Sequence, residues 1–161
     1  MIEISRVVAA DVAAIEDITN ACELAPWIAS DYIRELLRPD SIFLKAALGD
    51  IPCSGFIVGR VIPCIVQDAD FDAEIYNIGV HPDCQCEGVG SKLIKSFLQE
   101  CRNRSVHDVW LEVRSGNLVA ISFYSEHLFD VIAVRRSFYR DPVEDAIVMR
   151  SNLYNARKSE A

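Results

Sequence analysis

The chain has 161 residues, of which 51% are hydrophobic, and this is enough for one domain with a buried core. Its formal net charge of -8 excludes a protein that binds nucleic acid by neutralising phosphates, because that mode needs clustered Lys and Arg. It has neither a signal-peptide pattern at its start nor an apolar run approaching the roughly 18 residues that span a bilayer. We therefore expect a cytoplasmic protein without a nucleic-acid or membrane partner.

The cysteines and aspartates do not form a recognisable metal motif. Most of the six cysteines lie in apolar stretches, which is typical of reduced thiols. Cys84 and Cys86 are one residue apart, too close for the usual zinc pair. Asp68, Asp70 and Asp72 lack the Gly and Glu of a calcium-binding EF-hand loop. The sequence therefore predicts no metal.

The first predicted elements are a strand and two helices. Apolar residues between Ile2 and Val8 indicate a strand, and helical spacing begins after Asp11. Ser30 or Asp31 is expected to cap a second helix that runs to Leu37, where Pro39 prevents it from continuing.

The rest of the chain alternates strands and helices. Strands are predicted over residues 42–48, 53–66, 74–80, 106–113, 131–134 and 146–149, and helices over 88–102 and 117–128. The helix over 88–102 is clearly amphipathic. We expect an α/β domain over residues 1–154, built on one mixed sheet, and a frayed tail over 155–161.

The segment from Tyr76 through Gly90 joins a predicted strand to the amphipathic helix. A helix start has unpaired N–H groups, and the glycines Gly88 and Gly90 let the backbone approach a phosphate closely. A turn needed only for packing remains an alternative. The order Gly90-Ser91-Lys92 does not fit a Walker loop, and a Rossmann fingerprint needs a third glycine.

This glycine segment, with others along the chain, resembles acetyltransferases of the GNAT superfamily, and among them the RimI type. The residues that carry the resemblance are Ala25-Pro26-Trp27, Gln85 to Gly90, Trp110-Leu111-Glu112-Val113-Arg114, Asn117, Tyr124, Arg135 to Tyr139, and Asp145 to Met149. The resemblance implies a GNAT fold, a mixed and mostly antiparallel sheet of about seven strands flanked by about four helices.

The resemblance also implies a role for particular residues. The backbone of Ile78, Gly79 and Val80 would pair with the pantetheine arm of acetyl-CoA. Asn117 would also contact acetyl-CoA. The pyrophosphate would be held by Cys86, Glu87, Gly88, Val89, Gly90 and Ser91. Glu112 would be the base, Tyr124 the acid, and Trp27 and Tyr139 would contact the acceptor.

The implied reaction is acetyl transfer from acetyl-CoA to a protein or peptide N-terminal α-amine, by direct attack. Its acceptor would be, for example, the N-terminal alanine of a basic ribosomal protein. An N-terminal amine is about a tenth neutral at pH 7, so one carboxylate suffices as base. A small-molecule amine acceptor remains open, as does a non-catalytic module that only binds acetyl-CoA.

Purely structural roles remain open for three of these residues. Glu112 alternates with Leu111 and Val113, so it shares a face with Trp110 and Arg114. It could be a solvated residue paired with Arg114, while Tyr124 and Trp27 could simply pack on the core.

Two departures from the family pattern stand out. Glu87 lies where relatives often carry Gln, and a carboxylate weakens pyrophosphate binding unless it points to solvent. Leu128 stands where Gly usually ends a helix, so the turn there is expected to close differently.

Overall fold

The structure, a computed structural model, describes residues 1–64 and 71–154. The predicted tail and the predicted strand end at Val66 lie outside the described residues. The α-helices there are α1 (Val12–Ala21), α2 (Ala29–Leu36), α3 (Val89–Asn103) and α4 (Leu118–Glu126). The strands are β1 (Ile2–Arg6), β2 (Ser41–Leu48), β3 (Ile51–Pro63), β4 (Phe71–Val80), β5 (Val106–Arg114), β6 (Asp130–Arg140) and β7 (Val143–Asn152).

The strands form one seven-stranded mixed sheet in the order β1-β2-β3-β4-β5-β7-β6. Together with the four described helices, this confirms the predicted fold. Within the described ranges, no helix combines the length and the apolar character that a membrane crossing requires. The chain divides into two compact units, the first comprising Met1–Val61 and Ile75–Glu100, the second Ile62–Glu74 and the chain from Cys101 onward.

The first unit opens with β1 and the hairpin of β2 and β3, which pair antiparallel in sequence order. Gly49 closes the hairpin with a φ of 57°, a left-handed conformation that glycine adopts without steric cost. The core of this unit contains Ile15 and Ile18 of α1, Tyr32 of α2 and Phe56 of β3, all fully buried. The apolar spacing of the sequence therefore places α1 as predicted.

The start of α2 differs from the prediction. The helix begins at Ala29, and Asp31 lies inside its first turn, where its Oδ2 accepts a hydrogen bond from the backbone N–H of Ile28 at 3.0 Å. Neither predicted residue is the N-cap, which is Ile28, but Asp31 does cap the helix, from its third position. The carboxylate satisfies an unpaired N–H from within the helix instead of preceding it.

The second unit contains β5, α4 and the β6–β7 hairpin. The first residues of β4 pair parallel with β5, from Phe71 opposite Val106 to Glu74 opposite Trp110. β7 pairs antiparallel with both β5 and β6. The central strand β5 follows the predicted alternation, with Leu111 and Val113 buried and the residues between them partly exposed.

Both strands of the final hairpin are longer than predicted. The register of β6 shifts between Arg135 and Tyr139, and Ser137 there has a left-handed φ of 49°. The Ser137 N–H donates to Oδ1 of Asp145 at 2.8 Å, so a side chain replaces the interrupted strand pairing. The bulge breaks the two-residue periodicity on which the predicted strand ends depended.

The end of α4 corrects a second expectation. Leu128 has a φ of 67°, so it adopts the left-handed conformation in which glycine usually ends a helix. Its N–H donates to the carbonyl of Ser125 at 3.2 Å, and the N–H of Phe129 donates to that of Tyr124 at 3.1 Å. These two bonds form a Schellman motif, so the turn closes as it would with glycine.

Candidate active site

The predicted cofactor strand is the C-terminal half of β4, in the first unit. Gly79 faces the core: a Cβ there would lie 2.8 Å from Leu24 Cδ1 and 2.9 Å from Ile18 Cγ2. Packing against α1 and the residues after it therefore requires glycine at this position. Ile78 and Val80, on either side, are partly exposed.

The loop after β4 is held back against the strand. Gln85 Nε2 donates to the Val80 carbonyl at 3.1 Å, and Cys84 is buried. Cys86 and Gly88 have left-handed φ values of 63° and 85°. These conformations turn the exposed loop sharply into the start of α3.

The first turn of α3 leaves N–H groups without partners. The intrahelical ladder begins with the Lys92 N–H bond to the Gly88 carbonyl at 3.0 Å. Within residues 1–64 and 71–154, no hydrogen bond uses the N–H groups of Val89, Gly90 or Ser91. These donors and the helix dipole suit a pyrophosphate. Glu87 is exposed to solvent.

Trp27 both packs on the core and lines a groove of the first unit. Its ring lies 5.3 Å from that of Tyr32 and 6.0 Å from that of Tyr76, a residue of β4. The groove has a volume of about 630 Å³. Its charged lining residues are Asp31, Arg34, Glu35, Arg38 and Arg60. The groove thus carries three guanidinium groups and two carboxylates, so the negative net charge of the protein is not concentrated in it.

Glu112, the predicted base, lies on the partly exposed face of β5 in the second unit. Its Oε1 accepts a hydrogen bond from Arg135 Nη1 at 2.6 Å. The alternative pairing with Arg114 is therefore wrong, because β7 lies between β5 and β6 in the sheet and brings Arg135 within reach of Glu112. Arg114 instead forms an ion pair with Glu144.

Tyr124, the predicted acid, is 8% exposed and lies between aromatic rings. Phe123 and Phe129 are 5.4 Å and 5.8 Å from it, centre to centre. Burial raises the pKa of Tyr124, and Tyr139 raises it further. No partner for its hydroxyl occurs in the part of the chain that the structure describes. The phenol therefore keeps its proton and has it available for a ligand.

Tyr139 connects these two residues. Burial raises the pKa of Tyr139, the negative charge of Glu112 raises it further, and Arg114 lowers it. The electrostatic effects of Glu112 on Tyr139, and of Tyr139 on Tyr124, show that each pair lies within electrostatic range in the second unit. Arg114, on the same face of β5 as Glu112, has its guanidinium carbon 4.2 Å from the centre of the Tyr139 ring.

A model of the Acetyltransferase (GNAT) family matches residues 12–129 of this chain. The chain belongs to the GNAT family. This confirms the resemblance on which the site residues were chosen. It does not test the role of any single residue, so the assignments of Glu112, Tyr124 and the cofactor-binding residues stay predictions.

Two relatives within the GNAT family have sequences close to this chain. The chain is 40% identical over 98 residues to the ribosomal protein bS18-alanine N-acetyltransferase of Escherichia coli K12, covering 60% of this chain and 64% of that protein. It is 32% identical over 126 residues to N-alpha-acetyltransferase RimI of Mycobacterium tuberculosis, covering 78% and 75%. The match thus spans slightly less than two thirds of the length of the E. coli relative.

Solved structures extend the likeness to the full fold. The crystal structure of the E. coli ribosomal-protein-S18-alanine N-acetyltransferase aligns with a TM-score of 0.80 and 28% identity, covering 95% of this chain and 94% of that one. Arabidopsis thaliana NAA60 in complex with acetyl-CoA aligns with a TM-score of 0.86, covering 96% and 99%. At 15% identity, that second match shows the GNAT fold alone.

Two residues of this GNAT chain have contacts that sequence reasoning missed. Asn117, predicted to contact the cofactor, caps α4: its Oδ1 accepts from the Ala120 N–H at 3.1 Å. An Asn just before an apolar helix is a known capping signal that could have predicted this contact. Arg135 was recognised only as part of a family segment, and its pairing with Glu112 depends on sheet register.

One cluster of possible metal ligands was also not predicted from the sequence. Asp72, His107 and Asp108 come within 4.8 Å of one another. Trp110 Nε1 donates to one oxygen of Asp72 and the Asp108 N–H to the other, both at 3.2 Å. These hydrogen bonds engage both Asp72 oxygens, and the metal-free prediction remains untested.

Proposed function

We propose that this protein transfers the acetyl group of acetyl-CoA to the N-terminal α-amine of a protein or peptide, in the manner of RimI-type enzymes. The observation that carries the proposal is that Glu112 shares a face of β5 with Arg114, whose guanidinium carbon lies 4.2 Å from the Tyr139 ring centre. Tyr139 in turn acts electrostatically on the buried Tyr124. The proposal is supported by the relatives, one named as a ribosomal protein bS18-alanine N-acetyltransferase and the other as an N-alpha-acetyltransferase. The substrate in the name of the E. coli relative makes the N-terminal alanine of a ribosomal protein the first acceptor to test.

The first unit supplies the residues that bind acetyl-CoA. The backbone of Ile78, Gly79 and Val80 pairs with the pantetheine arm, and the unpartnered N–H groups at the start of α3 hold the pyrophosphate. Acetyl-CoA supplies an activated acetyl group as a thioester. The loop fits this ligand because Gly88 is exposed, and within residues 1–64 and 71–154 an added Cβ there would meet only Ile2 Cδ1, at 4.0 Å.

The second unit supplies the proton transfers. Glu112 takes a proton from the acceptor ammonium, directly or through water, while Arg135 holds one of its two oxygens. The neutral amine then forms a bond to the acetyl carbon, the bond from that carbon to sulfur breaks, and the nitrogen gives up its second proton to solvent as the amide forms. Tyr124 gives its proton to the departing thiolate, which its raised pKa permits because the phenol remains protonated.

Trp27 and Tyr139 are assigned to the acceptor. Trp27 lines the groove, and its ring lies 6.0 Å from that of Tyr76, two residues before Ile78 on the same strand. Tyr139 lies within electrostatic range of Glu112, so an acceptor amine that reaches this base also meets the Tyr139 ring.

The test is release of free thiol from acetyl-CoA by the purified protein with three sets of acceptors. These are peptides with a free N-terminal Ala, the same peptides with a blocked N-terminus, and a panel of small amines. Turnover that requires the free N-terminus is expected. Turnover with small amines alone would replace the acceptor class, and saturable acetyl-CoA binding without any turnover would favour a non-catalytic module.

A further inference from the structure

Arg114, at the end of β5, contacts three parts of the second unit at once. Its guanidinium carbon lies 4.2 Å from the centre of the Tyr139 ring. Its Nη1 donates to the Pro142 carbonyl at 3.3 Å and to Glu144 Oε1 at 3.2 Å. Neither Arg114 nor Glu144 has a part in the proposed proton transfers.

Glu144 carries this contact on to the start of α4. Its second oxygen, Oε2, accepts a hydrogen bond from the Gly116 N–H at 2.7 Å. Gly116 directly precedes Asn117, whose side chain caps α4, the helix that carries Tyr124. One carboxylate therefore links the guanidinium on Tyr139 to the helix of the proposed acid.

We propose that Arg114 is a positioning residue that fixes Tyr139 and the start of α4 relative to each other through Glu144. The inference rests on the proposed function, in which Tyr139 contacts the acceptor and Tyr124 is the acid. Tyr139 needs such support because it follows the register shift of β6 and the left-handed Ser137. The residues of β6 from Asp130 to Phe138 are exposed, so little packing holds this strand.

Arginine is suited to this position in a way that lysine is not. A planar guanidinium stacks on an aromatic face while its edge donates to a carboxylate and a carbonyl. Lysine offers a point charge without that planar fork. Replacement of Arg114 by Lys should therefore keep the attraction to Glu144 and lose the ordered stack on Tyr139.

The kinetic test compares Arg114→Met with Arg150→Met in assays with a free-N-terminal Ala peptide. Arg150 is a matched control in the same unit, because its guanidinium carbon lies 5.5 Å from the Trp110 ring centre and Nη1 lies 4.0 Å from an Asp108 oxygen. We expect Arg114→Met to raise the KM for the peptide about tenfold and that for acetyl-CoA less than about twofold. Arg150→Met should change neither by more than about twofold, and Arg114→Lys should lie between wild type and Arg114→Met.

A double-mutant cycle asks whether Arg114 acts through Tyr139. If it does, Arg114→Met has little further effect on the peptide KM when it is added to Tyr139→Leu. Fully additive effects would overturn the proposal, as would equal peptide KM values for Arg114→Met and Arg150→Met.

A spectroscopic test needs no turnover and separates this proposal from the proposed function. Burial, Glu112 and Glu144 raise the pKa of Tyr139 and Arg114 lowers it, so Arg114→Met should raise that pKa further. Absorbance titration of the phenols measures it, with Tyr139→Phe identifying the signal. An unchanged titration would overturn the contact, whereas a shifted titration in a protein without N-terminal acetylation would overturn the proposed function and leave the contact standing.

Discussion

The two units differ in the kind of group that would carry out the proposed reaction. The first offers backbone, in the strand from Ile78 to Val80 and the free N–H groups at the start of α3. The second offers the side chains of Glu112, Tyr124 and Tyr139. A site made of backbone tolerates a side chain as unusual as Glu87, provided that the turn keeps its conformation. A site made of side chains fails when one functional group is removed.

The largest effect is expected from Tyr124→Phe, which removes one hydroxyl of the second unit. kcat should fall about 100-fold, as for loss of a general acid, while the KM for acetyl-CoA changes less than about twofold. Because burial raises the pKa of Tyr124, activity should not decline through ionisation of this phenol below about pH 10. Steady-state kinetics across pH measure both the fall in kcat and the pH dependence of activity.

The control for this change is Tyr154→Phe. Tyr154 is 53% exposed, its ring packs 5.0 Å from that of His107, and it has no proposed role in catalysis. It should retain wild-type kcat. Undiminished kcat in Tyr124→Phe would remove this residue as the acid.

The next effect tests whether the first unit depends on backbone packing. A Cβ on Gly55 would lie 2.8 Å from the Gly79 carbonyl oxygen and 3.1 Å from Val89 Cγ1. The backbone cannot yield as a flexible side chain can, so Gly55→Ala should lower the free energy of unfolding by about 2 kcal/mol. Urea unfolding measures the loss.

Gly49→Ala provides the comparison for Gly55→Ala. Among the residues that the structure describes, no atom lies within 4 Å of a Cβ at Gly49, so its left-handed φ is what opposes the substitution there. The expected loss is about 1 kcal/mol. An equal or larger loss in Gly49→Ala would show that the approach of β3 to β4 is not tight.

The sequence predicted features that depend on local periodicity or on a family motif. The amphipathic run that forms α3 and the alternation around Glu112 are of this kind, and both agree with the structure. Pairing set by strand register could not be predicted: Arg135 is 23 residues from Glu112 and reaches it because β7 joins their strands. The extension of β6 was missed because the bulge at Ser137 interrupts the alternation.

The end of α4 shows a different limit of prediction. Leucine at position 128 indicated an altered turn, because left-handed backbone disfavours a side chain. The structure keeps the glycine-like turn, since two hydrogen bonds and the buried Phe129 hold it. A residue's preference is weak evidence where neighbouring contacts determine the conformation.

A smaller effect follows from this turn. Leu128→Gly should raise the free energy of unfolding by about 0.5–1 kcal/mol, because relief of the left-handed strain exceeds the entropy that glycine adds to the unfolded chain. The same substitution at Leu118, the exposed first residue of α4, should lower it, by less than the roughly 1 kcal/mol that glycine costs in a helix interior. Thermal or urea unfolding of both variants decides the matter, and a loss at both positions would contradict the strain at Leu128.

The smallest effect concerns Glu87, in the loop before α3 that is proposed to hold the pyrophosphate. Glu87 is exposed, so water screens its repulsion of the phosphates, and Glu87→Gln should tighten acetyl-CoA binding only about twofold at low ionic strength. Glu3→Gln removes the same charge from an exposed residue of β1 and should change Kd less. Titration calorimetry in low salt and in 1 M salt, where the Debye length is about 3 Å, separates the two. Equal gains in both variants would assign the effect to net charge, whereas a gain confined to Glu87→Gln and lost in high salt would support phosphate binding by the backbone beside it.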